Sequence, residues 1–354
     1  MNGTAPMPLP AFVYDALPMR VVFGNGSLDR LPEEIDRLGL RRVLVLCTPE
    51  QQNLAGQAAE LIGPRAAGTL AQARMHVPVE TVADAAAEAE RLDADGYLAV
   101  GGGSTIGLGK ALALKFGAPV VAVPTTYAGS EMTPIWGLTE NAQKRTGRDP
   151  AVLPRSVVYD PDLTLTLPPE VSATSGLNAL AHAVEALYAP DGSPVIAAMA
   201  EQGVRDLAAA LPALVADPRD RGARAAALQG AWLCGACLGA TTMGLHHKLC
   251  HALGGTLDLP HAQTHAVVLP HVAAFNLPAA PQAEAALSRA LDTDDPSAAL
   301  AALADTVGAP RRLSQLGVSA ADLPRIVEAV LANPYSNPRP VGRADLEQLL
   351  TGAL

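Results

Sequence analysis

The sequence predicts two domains: an α/β N-terminal domain with a parallel doubly wound sheet, and an all-α C-terminal domain. Two observations support this fold class. Up to about residue 160, short apolar segments alternate with helical ones, as in a parallel sheet with crossover helices. Beyond that point, strand signals fade and long Ala- and Leu-rich helical segments follow one another. We place the boundary near residue 162, which gives domains over residues 1–162 and 163–354.

The first domain shows its strands as short apolar segments. Residues 41–47 (RRVLVLC) predict one strand, and residues 82–95 predict an Ala- and Glu-rich helix. Residues 96–104 (GYLAVGGGS) predict a strand that ends in a glycine turn, and residues 118–126 (APVVAVPTT) predict a further buried strand. Because ligands of open α/β sheets bind beyond the carboxyl ends of the strands, the polar segments after these strands are candidate ligand loops.

Composition and charge restrict the classes of function. A mean hydropathy of +0.20 with 17% charged residues excludes intrinsic disorder. The net charge of −10 argues against a nucleic-acid partner, since phosphate recognition depends on clustered Lys and Arg. The first ten residues lack the pattern of a secretory signal, and four cysteines are too few for a disulfide framework. We therefore expect a cytoplasmic protein.

Residues 225–247 contain no Asp, Glu, Lys or Arg and are numerous enough to span a bilayer. They also include Gln229, two adjacent histidines and several glycines, which are typical of a buried central helix. Cys234 and Cys237 lie in this segment without a second cysteine pair, so we interpret them as small buried residues and not as a zinc site. The sequence therefore predicts no membrane partner.

Two loops rich in glycine or hydroxyl groups are candidate cofactor sites. The first loop consists of Gly101, Gly102, Gly103 and Ser104. The second loop contains Thr125, Thr126 and Ser130. Glycines between a strand and a helix let a phosphate approach the backbone, where the N–H groups of the helix start favour an anion. A simple tight turn and an ordinary helix cap are the alternative interpretations.

Histidines are concentrated in the second domain, where seven of the eight lie between residues 182 and 271. Asn178 and His182 are four residues apart, so both project from one helix face. His247 and His251 repeat that spacing, and His261 follows. One buried histidine is usually a core residue, but two such pairs indicate a functional cluster. Imidazoles suit zinc or iron beside a carboxylate, and here an amide occupies the place of the carboxylate.

These motifs together resemble the iron-containing alcohol dehydrogenase superfamily over essentially the whole chain. The matching segments are FGNGSLDRLPEE, GGGS, VPTT–GSE, GLNALAHAVEA, HHKLCHALGG, LPHAQTHAVVLPH and NPRP. The resemblance implies a dehydroquinate synthase-like fold with the active site in the cleft between the two domains. We also expect a homodimer.

The resemblance implies a metal site that this chain lacks in part. In the family, an Asp and a His on one helix and two later histidines hold the metal, and the matching residues are Asn178, His182, His247 and His261. A further family histidine near substrate and cofactor matches His251. Because an amide is a weaker ligand than a carboxylate, we expect no metal. The usual Asp of the GGGS helix is also replaced, and PTTYAGSE is one residue shorter than the usual motif.

With these departures, the segments GGGSTIGLGKALAL, PTTYAGSEMTPIWG and NPYSNPRP resemble the maleylacetate reductase branch of the superfamily. The resemblance implies NADH- or NADPH-dependent reduction of the C=C bond of 2-maleylacetate to 3-oxoadipate, in the bacterial degradation of aromatic and chloroaromatic rings. The nearest alternative is a metal-dependent alcohol dehydrogenase that acts on a small alcohol or aldehyde, with Asn178 as a ligand. A dehydroquinate synthase-like lyase and a non-catalytic binding module are further alternatives.

The implied reaction assigns roles to the clustered residues. Hydride addition to a conjugated enone leaves negative charge on the ketone oxygen, and hydrogen-bond donors in a dry cleft stabilise that charge. We expect the cluster to bind substrate carboxylates, stabilise the oxygen and supply a proton. The catalytic candidates are Asn178, His182, His247, His251 and His261. The candidate contacts for the dicarboxylate substrate are Lys248, Arg339 and Tyr127.

On the cofactor side, the resemblance implies NADH or NADPH bound across the two loops. The first loop would hold the pyrophosphate and the second the nicotinamide end, and Lys144 matches a family lysine near the cofactor. Thr48 follows the first strand, where the family can carry an Asp that repels a 2′-phosphate, although Glu50 is close. Without a carboxylate at that position, we expect NADPH to be accepted as well as NADH.

Overall fold

The computed structural model describes residues 12–140 and 143–354, with the side chains of residues 143 and 144 left out. The prediction about the first ten residues therefore lies outside the described residues. The predicted fold class is confirmed: a parallel sheet with helices is followed by a helical part. The last strand of the sheet ends at Tyr159, and the first long helix of the helical part begins at Pro169.

A six-stranded parallel sheet forms the N-terminal part, in the order β1-β8-β5-β4-β2-β3. The strands of the chain are β1 (Arg20–Phe23), β2 (Val43–Leu46), β3 (Ala66–Leu70), β4 (Gly96–Gly101), β5 (Val120–Pro124), β6 (Ile135–Glu140), β7 (Gln143–Arg148) and β8 (Ser156–Tyr159). The order reverses at β2, which pairs with β3 on one side and with β4 on the other. Such a reversal opens a crevice at the carboxyl ends of the strands.

Helices cover both faces of this sheet, so its interior strands are apolar on both sides. The helices are α1 (Leu31–Arg37), α2 (Gln52–Ile62), α3 (Val79–Arg91) and α4 (Gly103–Phe116). In β2, Leu44 and Leu46 join an apolar cluster with residues of α3 and α4, whereas Val43 and Val45 join another with residues of α1 and α2. This alternation is the period of two that a strand imposes on its side chains.

Strands β6 and β7 form an antiparallel hairpin outside the main sheet, which the sequence analysis did not predict. The polar sequence of β7 (QKRTGR) gives no apolar strand signal. The hairpin is held through Lys110 of α4, whose ammonium donates to the carbonyl oxygen of Ile135 at 2.9 Å. The hairpin lies next to the loop after β5, at the edge of the sheet where the strands have their carboxyl ends.

The C-terminal part is helical. Its helices are α5 (Pro169–Ala186), α6 (Pro194–Ala216), α7 (Arg221–Ala240), α8 (Leu245–Leu257), α9 (His261–Asn276), α10 (Pro281–Leu291), α11 (Pro296–Thr306), α12 (Leu323–Leu331) and α13 (Arg343–Ala353). Helix α5 is the central one, since every residue from Ser172 to Ala186 is buried. Small side chains around its whole circumference let α6, α7 and α9 approach it closely. The apolar cluster that holds Leu44 and Leu46 continues into α5, α6 and α7, so the two parts share one core.

The structure corrects the prediction that residues 225–247 form one buried helix. Helix α7 ends at Ala240, and α8 begins at Leu245, so residues 241–244 separate two helices. Residue 244 must be small, because a Cβ there would lie 2.8 Å from the carbonyl oxygen of Ser336. Cys234 and Cys237 are buried and unbridged, as predicted. Among the described residues, no helix combines the length and the apolar character needed to cross a membrane.

Candidate active site

Three helices bring the histidines of the C-terminal part together. His182 lies on α5, and α9 packs against both α5 and α8. The ring centroids of His182 and His247 are 5.0 Å apart, and those of His251 and His261 are 6.2 Å apart. The histidine cluster, as we name it, consists of His182, His246, His247, His251, His261 and His265. It therefore unites all four predicted histidines and adds two that the sequence analysis did not single out.

A chain of close polar contacts runs through the cluster. His247 Nδ1 lies 2.6 Å from Glu185 Oε2, and His247 Nε2 lies 2.9 Å from His182 Nδ1. On the other side of its ring, His182 Nε2 lies 3.2 Å from the carbonyl oxygen of Ala128. Ala128 belongs to the second candidate cofactor loop. The chain thus joins α8, α5 and that loop.

Asn178 stands beside this chain, as its position one turn before His182 predicts. Its Nδ2 lies 3.5 Å from His182 Nε2 and 3.5 Å from the carbonyl oxygen of Ala128. Its Oδ1 is buried and has no hydrogen-bond partner among the described residues. A buried acceptor without a partner is costly, so this oxygen is a candidate contact for a bound ligand.

Glu185 is a site residue that the sequence analysis missed. It lies on α5, is 1% exposed, and accepts hydrogen bonds from the backbone N–H groups of Gly244, His246 and His247 at 3.0, 2.8 and 3.3 Å. These groups open α8, where a helix favours a negative charge. Burial alone would raise the pKa of the Glu185 carboxyl, but the hydrogen bond from His247 and its neighbours hold that pKa below its ordinary value. Only its place three residues after His182 could have indicated it.

Burial disfavours the charged form of His182, His246 and His265. Loss of water contact, with the positive potential of neighbouring imidazoles, lowers the pKa of His182 and of His265 well below the ordinary value. The same causes lower the pKa of His246 to about 3. A neutral imidazole donates through one nitrogen and accepts through the other. These rings are therefore suited to fixed hydrogen bonds at neutral pH.

The residues that match the family's metal ligands contact one another in this arrangement. Both ring nitrogens of His247 are engaged, with Glu185 and with His182. Two imidazole nitrogens on one tetrahedral zinc ion lie about 3.4 Å apart, as follows from zinc–nitrogen distances near 2.1 Å. The observed 2.9 Å is the length of a direct hydrogen bond. Asn178 adds an amide where a carboxylate would favour a cation.

Another group of possible ligand atoms includes two members of the cluster. His246, Cys250 and His265 offer atoms within 4.8 Å of one another, and all three residues are buried. However, His246 Nε2 and His265 Nδ1 are hydrogen-bonded at 2.9 Å. Burial also raises the pKa of the Cys250 thiol, whereas a metal binds the thiolate. We therefore interpret His246, Cys250 and His265 as a hydrogen-bonded group and not as a metal site.

The first candidate cofactor loop has the geometry of an anion cradle. Gly101 has φ 153° at the end of β4, and a Cβ there would lie 2.5 Å from the hydroxyl oxygen of Thr105. A Cβ on Gly102 would lie 2.9 Å from the methyl group of Thr126. At Gly103 a Cβ would meet nothing within 4 Å, so the start of α4 is open. No side chain caps that start, and its N–H groups are available for a phosphate.

The second loop is fixed from several sides. The Gln51 amide donates to Thr125 Oγ1 at 2.6 Å, and the Thr125 N–H donates to the carbonyl oxygen of Gly101 at 3.2 Å. The buried Lys110 ammonium donates to the carbonyl oxygens of Ser130 and Thr133 at 2.6 and 2.8 Å. Burial lowers the pKa of Lys110 to about 7. These contacts bring Thr125, Thr126 and Ser130 beside the glycine turn.

Three further predicted contacts are Thr48, Lys248 and Lys144. Thr48 follows β2 and is half-buried, and Glu50 beside it is exposed. Lys248 is half-buried next to His247 and has no ion pair within the part of the chain that the structure describes. Lys144 pairs with Thr139 in the hairpin, and its side chain lies outside the described residues.

Arg339 is exposed and stacks on Phe275, with its guanidinium 4.2 Å from the ring centroid. Tyr127 requires a correction. It is fully buried, and its hydroxyl group bonds to Thr164 at 3.2 Å and to the Arg224 guanidinium at 3.2 Å. These partners occupy the phenol, so the Tyr127 side chain packs in the core and does not face a substrate.

Comparison with known proteins agrees with this architecture. The iron-containing alcohol dehydrogenase model matches residues 18–161, and the model for the C-terminal part of the same family matches residues 172–354. The chain belongs to the iron-containing alcohol dehydrogenase family. That membership supports a nicotinamide cofactor, which is the class of cofactor that the two loops fit.

Within the family, the chain is similar to proteins of one kind. It is 54% identical to the maleylacetate reductase of Sphingobium indicum over 97% of both chains, and 53% identical to that of Burkholderia cepacia over the same share. The crystal structure of maleylacetate reductase from Agrobacterium tumefaciens superposes with a TM-score of 0.94, at 51% identity and 98% coverage of both chains.

Proposed function

We propose that this protein is a maleylacetate reductase, an NAD(P)H-dependent oxidoreductase that reduces the C=C bond of 2-maleylacetate to form 3-oxoadipate. The observation that carries this proposal is the 54% identity to a maleylacetate reductase over 97% of both chains. The degradation of aromatic and chloroaromatic compounds is the process in which we place it. The site supports the reaction with a set of imidazoles and with the amide oxygen of Asn178, which has no hydrogen-bond partner among the described residues.

The two loops would hold the cofactor. Bound NADH or NADPH supplies the hydride. The open start of α4 at Gly103 would bind the pyrophosphate through backbone N–H groups. Thr125, Thr126 and Ser130 flank Ala128, whose carbonyl oxygen contacts His182 of α5. We therefore assign them to the nicotinamide end.

The substrate is a dicarboxylate, and the chain has a net charge of −10, so local cations are needed to bind it. Lys248 is our first candidate, because it is half-buried on α8 next to His247 and has no ion pair within the described part of the chain. Arg339 is the second, since an exposed guanidinium can bind a carboxylate with two parallel hydrogen bonds.

Reduction of the enone places negative charge on the ketone oxygen. A hydrogen-bond donor aimed at such an oxygen typically lowers the barrier by about 3 kcal/mol, and by more where water is excluded. His251 and His261, at the outer end of the histidine cluster, are the candidates for this donor. His182 and His247 form the buried inner end and would orient the outer imidazoles and the substrate. The enolate carbon then needs one proton, which an imidazole of the cluster can supply.

We propose that the reaction needs no metal. The support is the chemistry of the ligand set, since Asn178 supplies an amide in the position of the family's carboxylate ligand, and an amide is a weaker ligand for a divalent cation. One observation favours the rival function, a metal-dependent alcohol dehydrogenase. The buried Oδ1 of Asn178 lacks a partner among the described residues, and it occupies the position of the family's carboxylate ligand.

One assay separates the two functions. The protein is dialysed against a strong chelator, and NADH oxidation is followed with freshly generated maleylacetate and, in parallel, with small aldehydes. We expect turnover of maleylacetate by the dialysed protein. The proposal is wrong if maleylacetate is not reduced, or if dialysis abolishes activity that zinc or iron then restores.

We also propose a cytoplasmic homodimer with no nucleic-acid or membrane partner. The net charge of −10 supports the absence of a nucleic-acid partner. Size-exclusion chromatography with light scattering measures the assembly, and an eluting mass near 36.3 kDa, that of one chain, would contradict the dimer.

A further inference from the structure

We propose that Glu185 is a positioning residue of the reductase, whose carboxylate sets the orientation of His247 and, through it, of His182. The inference rests on the proposed function for its kinetic consequences. Its structural content, the orientation of one imidazole, is independent of the substrate. No contact of Glu185 with a substrate or cofactor is involved.

The first argument is the number of hydrogen bonds that meet at this carboxylate. Its two oxygens accept from the three backbone N–H groups that open α8 and from His247 Nδ1. Four donors fill the ordinary capacity of a carboxylate. Residue 244 must also be small, because a Cβ on Gly244 would lie 3.1 Å from Glu185 Oε1. The backbone at Gly244 therefore packs directly against the Glu185 carboxylate.

The second argument concerns the two faces of the His247 ring. An ionised carboxylate only accepts, so Nδ1 of His247 must be the nitrogen that carries a hydrogen toward it. The Nε2 atom is then turned toward His182 Nδ1, at 2.9 Å. Without the carboxylate, a rotated His247 ring would present its carbon atoms to His182. The series of contacts that runs from α8 through His182 to the loop at Ala128 would then be broken between His247 and His182.

The third argument is that the position of His247 depends twice on Glu185. The carboxylate binds the side chain of His247 and also the backbone N–H of the same residue. Helix α8 further carries His251, one turn after His247. A displacement of about 1 Å at a reacting group can cost on the order of a hundredfold in rate. The loss of Glu185 should therefore lower kcat more than it lowers cofactor binding.

A purely structural role would be an anchor for the first turn of α8. The two roles differ in a double-mutant cycle with Glu185→Gln, His247→Asn and the combined variant. If Glu185 acts through His247, its substitution has little left to remove once His247 is gone. We expect Glu185→Gln to lower kcat at least about thirtyfold with KM for NADH within about threefold, and the combined variant to match His247→Asn within about threefold.

Glu34→Gln is the matched control. Glu34 is also a buried carboxylate with several partners, Ser156, Arg20 and Arg37, but it lies on α1. Its substitution should lower the melting temperature and leave kcat within about twofold of the wild type. Two kinetic results would overturn the proposal: losses that add fully in the combined variant, or a kcat of Glu185→Gln that equals that of the control.

An NMR measurement keeps the inference testable without activity or variants. Long-range ¹H–¹⁵N spectra of histidine-labelled wild-type protein report which ring nitrogen carries the hydrogen. We expect a hydrogen on Nδ1 of His247, and a changed pattern in Glu185→Gln. A bare Nδ1 in the wild type would overturn the proposal even if maleylacetate is turned over. Failure to reduce maleylacetate, with the expected spectrum, would refute the function alone.

Discussion

The substitution His251→Asn tests whether the outer end of the histidine cluster takes part in chemistry. His251 is exposed on α8, and its ring centroid lies 6.2 Å from those of His247 and His261. An exposed side chain contributes little to folding, so the free energy of unfolding should change by less than about 1 kcal/mol. If its imidazole donates to the enolate oxygen, its loss should raise the barrier by about 3 kcal/mol, or about a hundredfold in kcat.

The assay measures kcat with freshly generated maleylacetate, NADH affinity and the melting temperature on one preparation. NADH affinity should stay within about threefold, because both cofactor loops lie in the N-terminal part and keep their contacts. The matched control is His271→Asn, since His271 lines a separate cavity beside Arg311 and Arg312. The reasoning is refuted if kcat of His251→Asn remains within about threefold of the wild type, which is less than about 1 kcal/mol of barrier.

Three further predictions follow from the same structure. Thr48 offers no carboxylate against a 2′-phosphate, so kcat/KM for NADH should exceed that for NADPH by less than about a thousandfold, as steady-state kinetics would measure. Stability should fall as the pH drops from 6.5 toward 3, because the unfolded chain protonates histidines such as His246 that the folded chain keeps neutral. His246→Asn should reduce that slope in chemical unfolding by up to about 1.4 kcal/mol per pH unit, and an unchanged slope would contradict the burial argument. Lys110→Met should lower NADH affinity in fluorescence titrations, because it releases the backbone of Ser130 and Thr133, and unaltered affinity would show that the loop holds without the lysine.

Much of the fold could be predicted from the sequence because local periodicity reports burial. The segments VLVLC and APVVAV are apolar at every position, as expected for strands that are covered on both faces. The GGGS turn and the segment from Thr125 to Ser130 follow directly after strands, so their place at one sheet edge follows from the parallel order. The hairpin of β6 and β7 was not predicted, because it is held by a hydrogen bond from Lys110 and not by an apolar face that the sequence would show.

The helical part shows the limit of spacing arguments. The i, i+4 pairs place Asn178 with His182, and His247 with His251, on one helix face each, and both pairs do share a face. Spacing does not state which faces meet, and so it gave no reason to include His265, whose ring lies 4.3 Å from that of His261. That contact depends on how α9 packs against α8 and α5.

The sequence by itself determined the fold class, the two ligand loops and four histidines of the cluster, because these features depend on neighbours along the chain. Only the tertiary structure decided the role of Glu185, which in the sequence is one acidic residue on an Ala-rich helix. The break at Gly244 turns the start of α8 onto this carboxylate, and a buried charge is tolerated only where such donors converge. Tyr127 is the opposite case. The sequence analysis predicted a substrate contact, but the Tyr127 hydroxyl group is buried and hydrogen-bonded to Thr164 and Arg224. Partners distant in sequence decide both cases, and no local pattern encodes them.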